Sequence, residues 1–68
     1  MTTTLNFFKD KNQEIHITLF SGIFYNGFII DIEESKWFLV FKDNKLGEVP
    51  IMFEDIKKVE PKIEVKND

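Results

Sequence analysis

The stretch EIHITLFSGIFYNGFIIDIE, residues 14–33, decides the fold. Ile15, Ile17 and Leu19 alternate with Glu14, His16 and Thr18, the period of two expected of a half-buried strand. Ser21-Gly22 punctuates the run as a turn, and a second run follows from Ile23 to Glu33 with Gly27 inside it. Its even positions Phe24, Phe28, Ile30 and Ile32 read as one apolar face, with Ile23, Tyr25, Ile29, Asp31 and Glu33 on the other. A strand this long with a central glycine is expected to bend or bulge there, which lets one strand serve two sides of a barrel.

Working outward, Glu33–Lys36 is a polar turn, and Trp37–Phe41 is apolar throughout, as in a strand covered on both faces. Residues 42–47 form the next turn, with Asn44 and Gly47 suited to positive φ. Glu48–Phe53 reads as a fourth strand whose Pro50 belongs at an edge or a strand start. Glu54-Asp55 makes a tight turn, and Ile56–Val59 is a short fifth strand stopped by Pro61. Residues 1–13 are a polar lead-in. They either fray or hold one or two helical turns, with Thr4 as N-cap and Leu5, Phe7 and Phe8 as the apolar stripe. Residues 62–68 are a loosely held tail with weak alternation at Ile63 and Val65. The expectation is an all-β domain over residues 14–61, a small five-stranded antiparallel barrel with a strongly bent second strand, with or without a short N-terminal helix.

Composition narrows the function classes. Sixty-eight residues make one small domain. Nine lysines and no arginine face twelve acidic residues, a net charge of −3, so the whole surface is not an electrostatic glove for nucleic acid, although a local basic patch remains open. No cysteine is present, which excludes disulfides and thiolate metal sites. A single histidine argues against zinc or a His-based triad, so no metal or cofactor is expected. The residues MTTTLNFFKDKNQ lack a basic segment followed by an apolar one, and nothing reaches the roughly 18 apolar residues of a membrane span. The expectation is a cytoplasmic, non-catalytic protein without a membrane partner. Aromatics make up 15% of the chain. A domain of this size buries only about 60% of its unfolded surface, so some rings must lie at a surface or interface, and self-association is expected.

The order and spacing of these pieces resemble the Sm family. ITLFSGIFYNG (residues 17–27) is similar to the first half of the Sm motif, where a strand ends in a turn glycine and a second glycine follows five residues later in a bent strand. Glu33 falls at the family's acidic position, Trp37 at its usual Asn, and Phe38-Leu39-Val40 on its third-strand apolar run. EVPIMFEDIKKVEP (residues 48–61) resembles the second half, and its Ile56-x-x-Val59-x-Pro61 ending is also similar to bacterial Hfq. Other small SH3-like barrels share the strand pattern. The resemblance implies a barrel that closes into a homo-oligomeric ring of about five to eight subunits, the fourth strand of one pairing with the fifth of the next. Pro50, Ile51, Met52, Phe53, Ile56 and Val59 would then supply the interface, and Gly22, Gly27 and Gly47 the turns and bend. Rings of this family bind RNA around a central pore and scaffold its processing.

The departures from the family bear on the ligand. Members that bind U-rich RNA hold a base between the third-strand Asn and an Arg-Gly pair after the fourth strand. Here Trp37 and Phe53-Glu54-Asp55 stand in those places, and a carboxylate pair repels a phosphate backbone. The usual uridine pocket is therefore not expected. Trp37, flanked by Lys36 and followed by Lys42 and Lys45, offers instead the aromatic-plus-lysine pattern of single-strand binding; its plain alternative is a core or subunit-contact residue. Tyr25 is a second candidate for stacking and Asn26 for a base edge, again with an interface filler as the plain alternative. His16 reads as a solvated surface residue. Asp31, Glu33, Glu54 and Asp55 read as solvated turn and edge charges, not as an acid–base pair. Two functions stay in view: an RNA-binding or protein-directed scaffold ring, and a monomeric SH3-like barrel that binds a peptide through Tyr25 and Trp37.

Overall fold

The computed structural model describes residues 2–63. Helix α1 (Thr2–Asp10) is followed by β1 (Ile15–Leu19), β2 (Phe24–Glu33), β3 (Phe38–Asp43), β4 (Gly47–Met52) and β5 (Ile56–Pro61). Short 3-10 turns, Glu34–Lys36 and Phe53–Asp55, join β2 to β3 and β4 to β5. The strands form one antiparallel sheet in the order β4-β3-β2-β1-β5. In the single chain β4 and β5 are the two ends of an open sheet.

A helix of nine residues is too short to be stable by propensity alone. Tertiary packing holds it: Leu5 is fully buried in the core, and Phe8 packs against that core while Phe7 stays exposed. Burying Leu5 contributes about 1.5–3 kcal/mol. The helix begins at Thr2, so Thr4 lies inside it and is not the N-cap. At the other end Asn12 adopts φ 50°, the left-handed stop that asparagine tolerates, and Gln13 N–H donates to the Phe8 carbonyl.

The inner face of the sheet is Ile15, Ile17, Ile29, Leu39, Phe41, Ile51 and Ile56, closed by Leu5 and Phe53. In β2 the expected even face is corrected. Ile17 pairs with Tyr25, and Ile15 with Gly27, so the odd residues up to Ile29 share the core side with β1. Between Ile29 and Asp31 the register slips, Ile29 facing Phe41 and Asp31 facing Val40. That bulge leaves Ile30 exposed and switches parity, so that Ile32 packs inward beyond it. The register break thus falls at Ile30, and pairing runs without a shift through Gly27. Gly27 has another role: a Cβ there would run into the Lys42 carbonyl of β3, so only glycine lets the two backbones approach this closely.

Two further boundaries differ from expectation. Trp37 is not the start of β3 but a left-handed residue before it, and Phe53 leaves β4 for the 3-10 turn. The strand Phe38–Asp43 buries Leu39 and Phe41 on one face, while Phe38 and Val40 on the other stay half-buried. At the start of β4 Gly47 takes positive φ (82°), a conformation costly for any residue with a Cβ, whereas Asn44 in the preceding turn does not. Gly22 sits in the β1–β2 turn as read, and Pro50 lies on β4, an end strand of the sheet, where its missing N–H is tolerated. The alternation at Val65 lies outside the described residues. No helix of the described residues is long and apolar enough to cross a membrane.

Candidate functional site

The residues singled out for single-strand binding fall at opposite ends of β3. Trp37 and Lys36 precede the strand; Lys42 and Lys45 end and follow it. A six-residue strand spans about 20 Å, too far for one base and its phosphate to touch both ends.

At the first end, Trp37 has φ 63° and caps the turn Glu34–Lys36, its N–H donating to the Glu34 carbonyl at 3.2 Å. A bulky residue in this region is strained and persists only where its surroundings hold it. Those surroundings are Phe53, whose N–H donates to the Trp37 carbonyl at 3.0 Å and whose ring lies 5.1 Å from the indole at 59°. Phe53 is itself buried, so the indole is braced from below while 55% of the residue stays exposed. Met52, opposite Phe38 on β4, extends the apolar surface beside it. Lys36 is exposed on the preceding turn, and Glu54 and Asp55 are exposed on the facing one. The Asp55 carbonyl also accepts the Phe20 N–H at 2.9 Å, tying the β1–β2 turn to this end.

The second end is built from polar bonds. Asp43 closes the β3–β4 turn as an Asx cap: Oδ2 accepts the N–H of Leu46 and of Lys45, both at 2.9 Å, and Oδ1 accepts the Asn26 N–H at 3.0 Å. Those bonds, from Leu46 and Lys45 first, hold its carboxyl below the usual range. Glu14 is held lower in the same sense by the Asn44 side-chain amide at 3.0 Å and by Lys62 at 3.3 Å. This clasp joins β1, the turn and the end of β5. Between the turn and the outer face of β2 lies a groove of about 390 Å³, lined by Phe24, Leu46 and Lys45 together with Asn26, Asn44 and Lys62.

Each residue named from the sequence can now be placed. Tyr25 is turned inward, half-buried against the core with its ring 6.4 Å from Phe41, and is not a free stacking face. Asn26 faces the groove beside His16, whose Nδ1 is 2.7 Å from Asn26 Oδ1. Lys42 is exposed between Phe28 and Glu48, which pair with it from the two neighbouring strands. Of the residues named for the subunit interface, Ile51, Phe53 and Ile56 are taken up by this chain's own core. Pro50 and Met52 are exposed, and Val59 is half-buried, on the two end strands. Among the described residues no group of three or more histidines and carboxylates is placed to hold a metal.

Phe24, Asn44 and Leu46 are not legible as site residues in the sequence. A single parity carried along the whole of β2 puts Phe24 in the core; the pairing of Ile17 with Tyr25 puts it outside. The run Asp43-Asn44 before Gly47 does carry a turn signal, though not a groove. Comparison with protein-family models, curated proteins and solved structures finds no match to this chain in any of the three.

Proposed function

We propose that this chain is a non-catalytic, Sm-like β-module whose copies assemble edge to edge, and which binds single-stranded RNA weakly or scaffolds a ribonucleoprotein complex. The observation that carries this reading is the strand order. Its two unpaired ends are β4 and β5, the strands that the Sm resemblance would join between subunits. An exposed strand edge is a template for pairing unless it is blunted, and joining opposite ends of one sheet is a head-to-tail contact that makes a ring when the rotation closes. The exposed Pro50 and Met52 and the half-buried Val59 lie along those ends. Curling the sheet into the closed barrel of that family belongs to the same proposal.

The RNA half rests on Trp37, an aromatic face held out to solvent beside Lys36, with no Arg-Gly pocket near it. Stacking there contributes about 1–3 kcal/mol per base, while Glu54 and Asp55 oppose phosphate, so binding is weak and strongly salt-dependent. The same exposed indole supports the second reading, a monomer that takes up a peptide.

Light scattering on the eluted protein tests the assembly, with Met52→Lys as the variant that places a charge on the β4 edge. The proposal expects a wild-type oligomer that shifts toward monomer in the variant; a wild-type monomer at every concentration overturns it. Trp37 is the only tryptophan, so its fluorescence reports RNA directly. Quenching by short oligonucleotides that fades with salt is expected; absence of quenching, together with unchanged affinity in Trp37→Ala, would overturn the RNA half as it rests on Trp37.

A further inference from the structure

The groove at the Asp43 end is preorganised, and most of its polar groups are already engaged. Asp43 takes three backbone N–H groups, and the Asn44 amide nitrogen donates to Glu14. With the His16 proton on Nδ1, that ring donates to Asn26 Oδ1. Among the side chains that line the groove this leaves three groups with no hydrogen-bond or ion-pair partner among the described residues. They are the Asn26 side-chain N–H₂, a donor; the Asn44 side-chain oxygen, an acceptor; and the Lys45 ammonium, a cation. All three residues line the groove, and its apolar walls are exposed: Phe24 at 59% and Leu46 at 71%. The Phe24 ring is steadied by His16, whose ring lies 5.2 Å away at 32°.

We propose that this groove binds one nucleobase of a single-stranded RNA, stacked on Phe24, its edge met by Asn26 and Asn44 and its phosphate by Lys45. A flat aromatic face, an amide donor, an amide acceptor and an unpaired cation are the set by which unpaired bases are recognised. The volume suits one nucleotide, lying near the lower end of ligand-site sizes. A peptide strand would need a row of free backbone groups, and those lie on the β4 and β5 edges, not on the outer face of β2. The inference rests on the RNA half of the reading above but uses a different surface from Trp37.

The test is titration of the ¹⁵N-labelled protein with adenosine monophosphate, with ribose 5-phosphate as the baseless control and hexa-adenylate as the single strand. The nucleotide should shift the side-chain amide signals of Asn26 and Asn44, and ribose 5-phosphate should leave both in place. Phe24→Leu keeps an apolar side chain but removes the flat ring; hexa-adenylate should then bind about 5- to 150-fold more weakly. Lys45→Gln, on the exposed turn, should lower the salt slope by about 1. Silent amides with the nucleotide, or wild-type affinity in Phe24→Leu, overturn the site. Hexa-adenylate that quenches Trp37 while the groove amides stay silent overturns the groove and spares the RNA reading. No response at either surface overturns both.

Discussion

The two ends of β3 are held by different physics. At the Trp37 end the backbone is left-handed and strained, and what restrains it is a buried ring, Phe53, beneath an exposed one. At the Asp43 end the chain is held by two carboxylates that accept hydrogen bonds from neighbouring strands and the turn. Burial gives the first end a restraint indifferent to pH and salt. The second depends on charge. A surface built on the first can tolerate a strained residue because the ring behind it is buried, while a surface built on the second is shaped by polar geometry.

The contrast is broken most directly by removing the ring that braces the Trp37 end. Phe53→Ala should cost about 3–5 kcal/mol, comparable with the whole stability of a domain this small at about 0.05–0.15 kcal/mol per residue. Loss of the cooperative thermal transition is the expected result; a shift of only a few degrees would show that this end is not anchored by burial. Gly27→Ala probes the close approach of β2 and β3 beside Asp43. A methyl group there meets backbone rather than a movable side chain, so the loss should reach the upper part of the overpacking range, about 3 kcal/mol. Urea denaturation measures it.

Next in size is the acid response of the far end. Asp43 and Glu14 are held below their ordinary values of 3.8 and 4.5, so below those values the unfolded chain binds more protons than the folded one. Their contribution to stability is complete above pH 4.5 and is lost as pH falls through the lowered folded values. Thermal melts from about pH 7 to about pH 2.5 should show this decline, and Asp43→Asn should flatten it while leaving Trp37 fluorescence unchanged. An equally steep acid limb in the variant would contradict the assignment. Smallest of all is Trp37→Asn, which exchanges a strained bulky residue for one at ease in the left-handed region. Its stability should move little, within about 1 kcal/mol by thermal melting. A large loss would make the indole a structural residue and not a presented one.

Much of the fold is legible because hairpins leave periodic marks. Ile15, Ile17 and Leu19 announce β1, and the turn residues at 21–22 and 44–47 bracket the strands. What stays hidden is instructive. Alternation fails in β2 because Phe28, Ile29, Ile30 and Ile32 are apolar on both parities, so no pattern marks where a bulge switches faces; only the partner strand settles it. Trp37 looks like a strand residue because apolar neighbours follow it, and its left-handed φ comes from the turn before it and from Phe53, sixteen positions away in sequence. The groove is hidden for a similar reason: Phe24, Asn26, Leu46 and Lys62 meet only once the sheet is assembled.

The central claim is that the free ends β4 and β5 are subunit contacts, and native mass spectrometry of the purified protein across a range of salt tests it most directly. A discrete assembly of about five to eight subunits that survives high salt is the predicted result, since paired backbone edges are less screened than exposed charges. A monomer at all concentrations would contradict the ring and leave a five-stranded sheet whose exposed Trp37 serves a different partner.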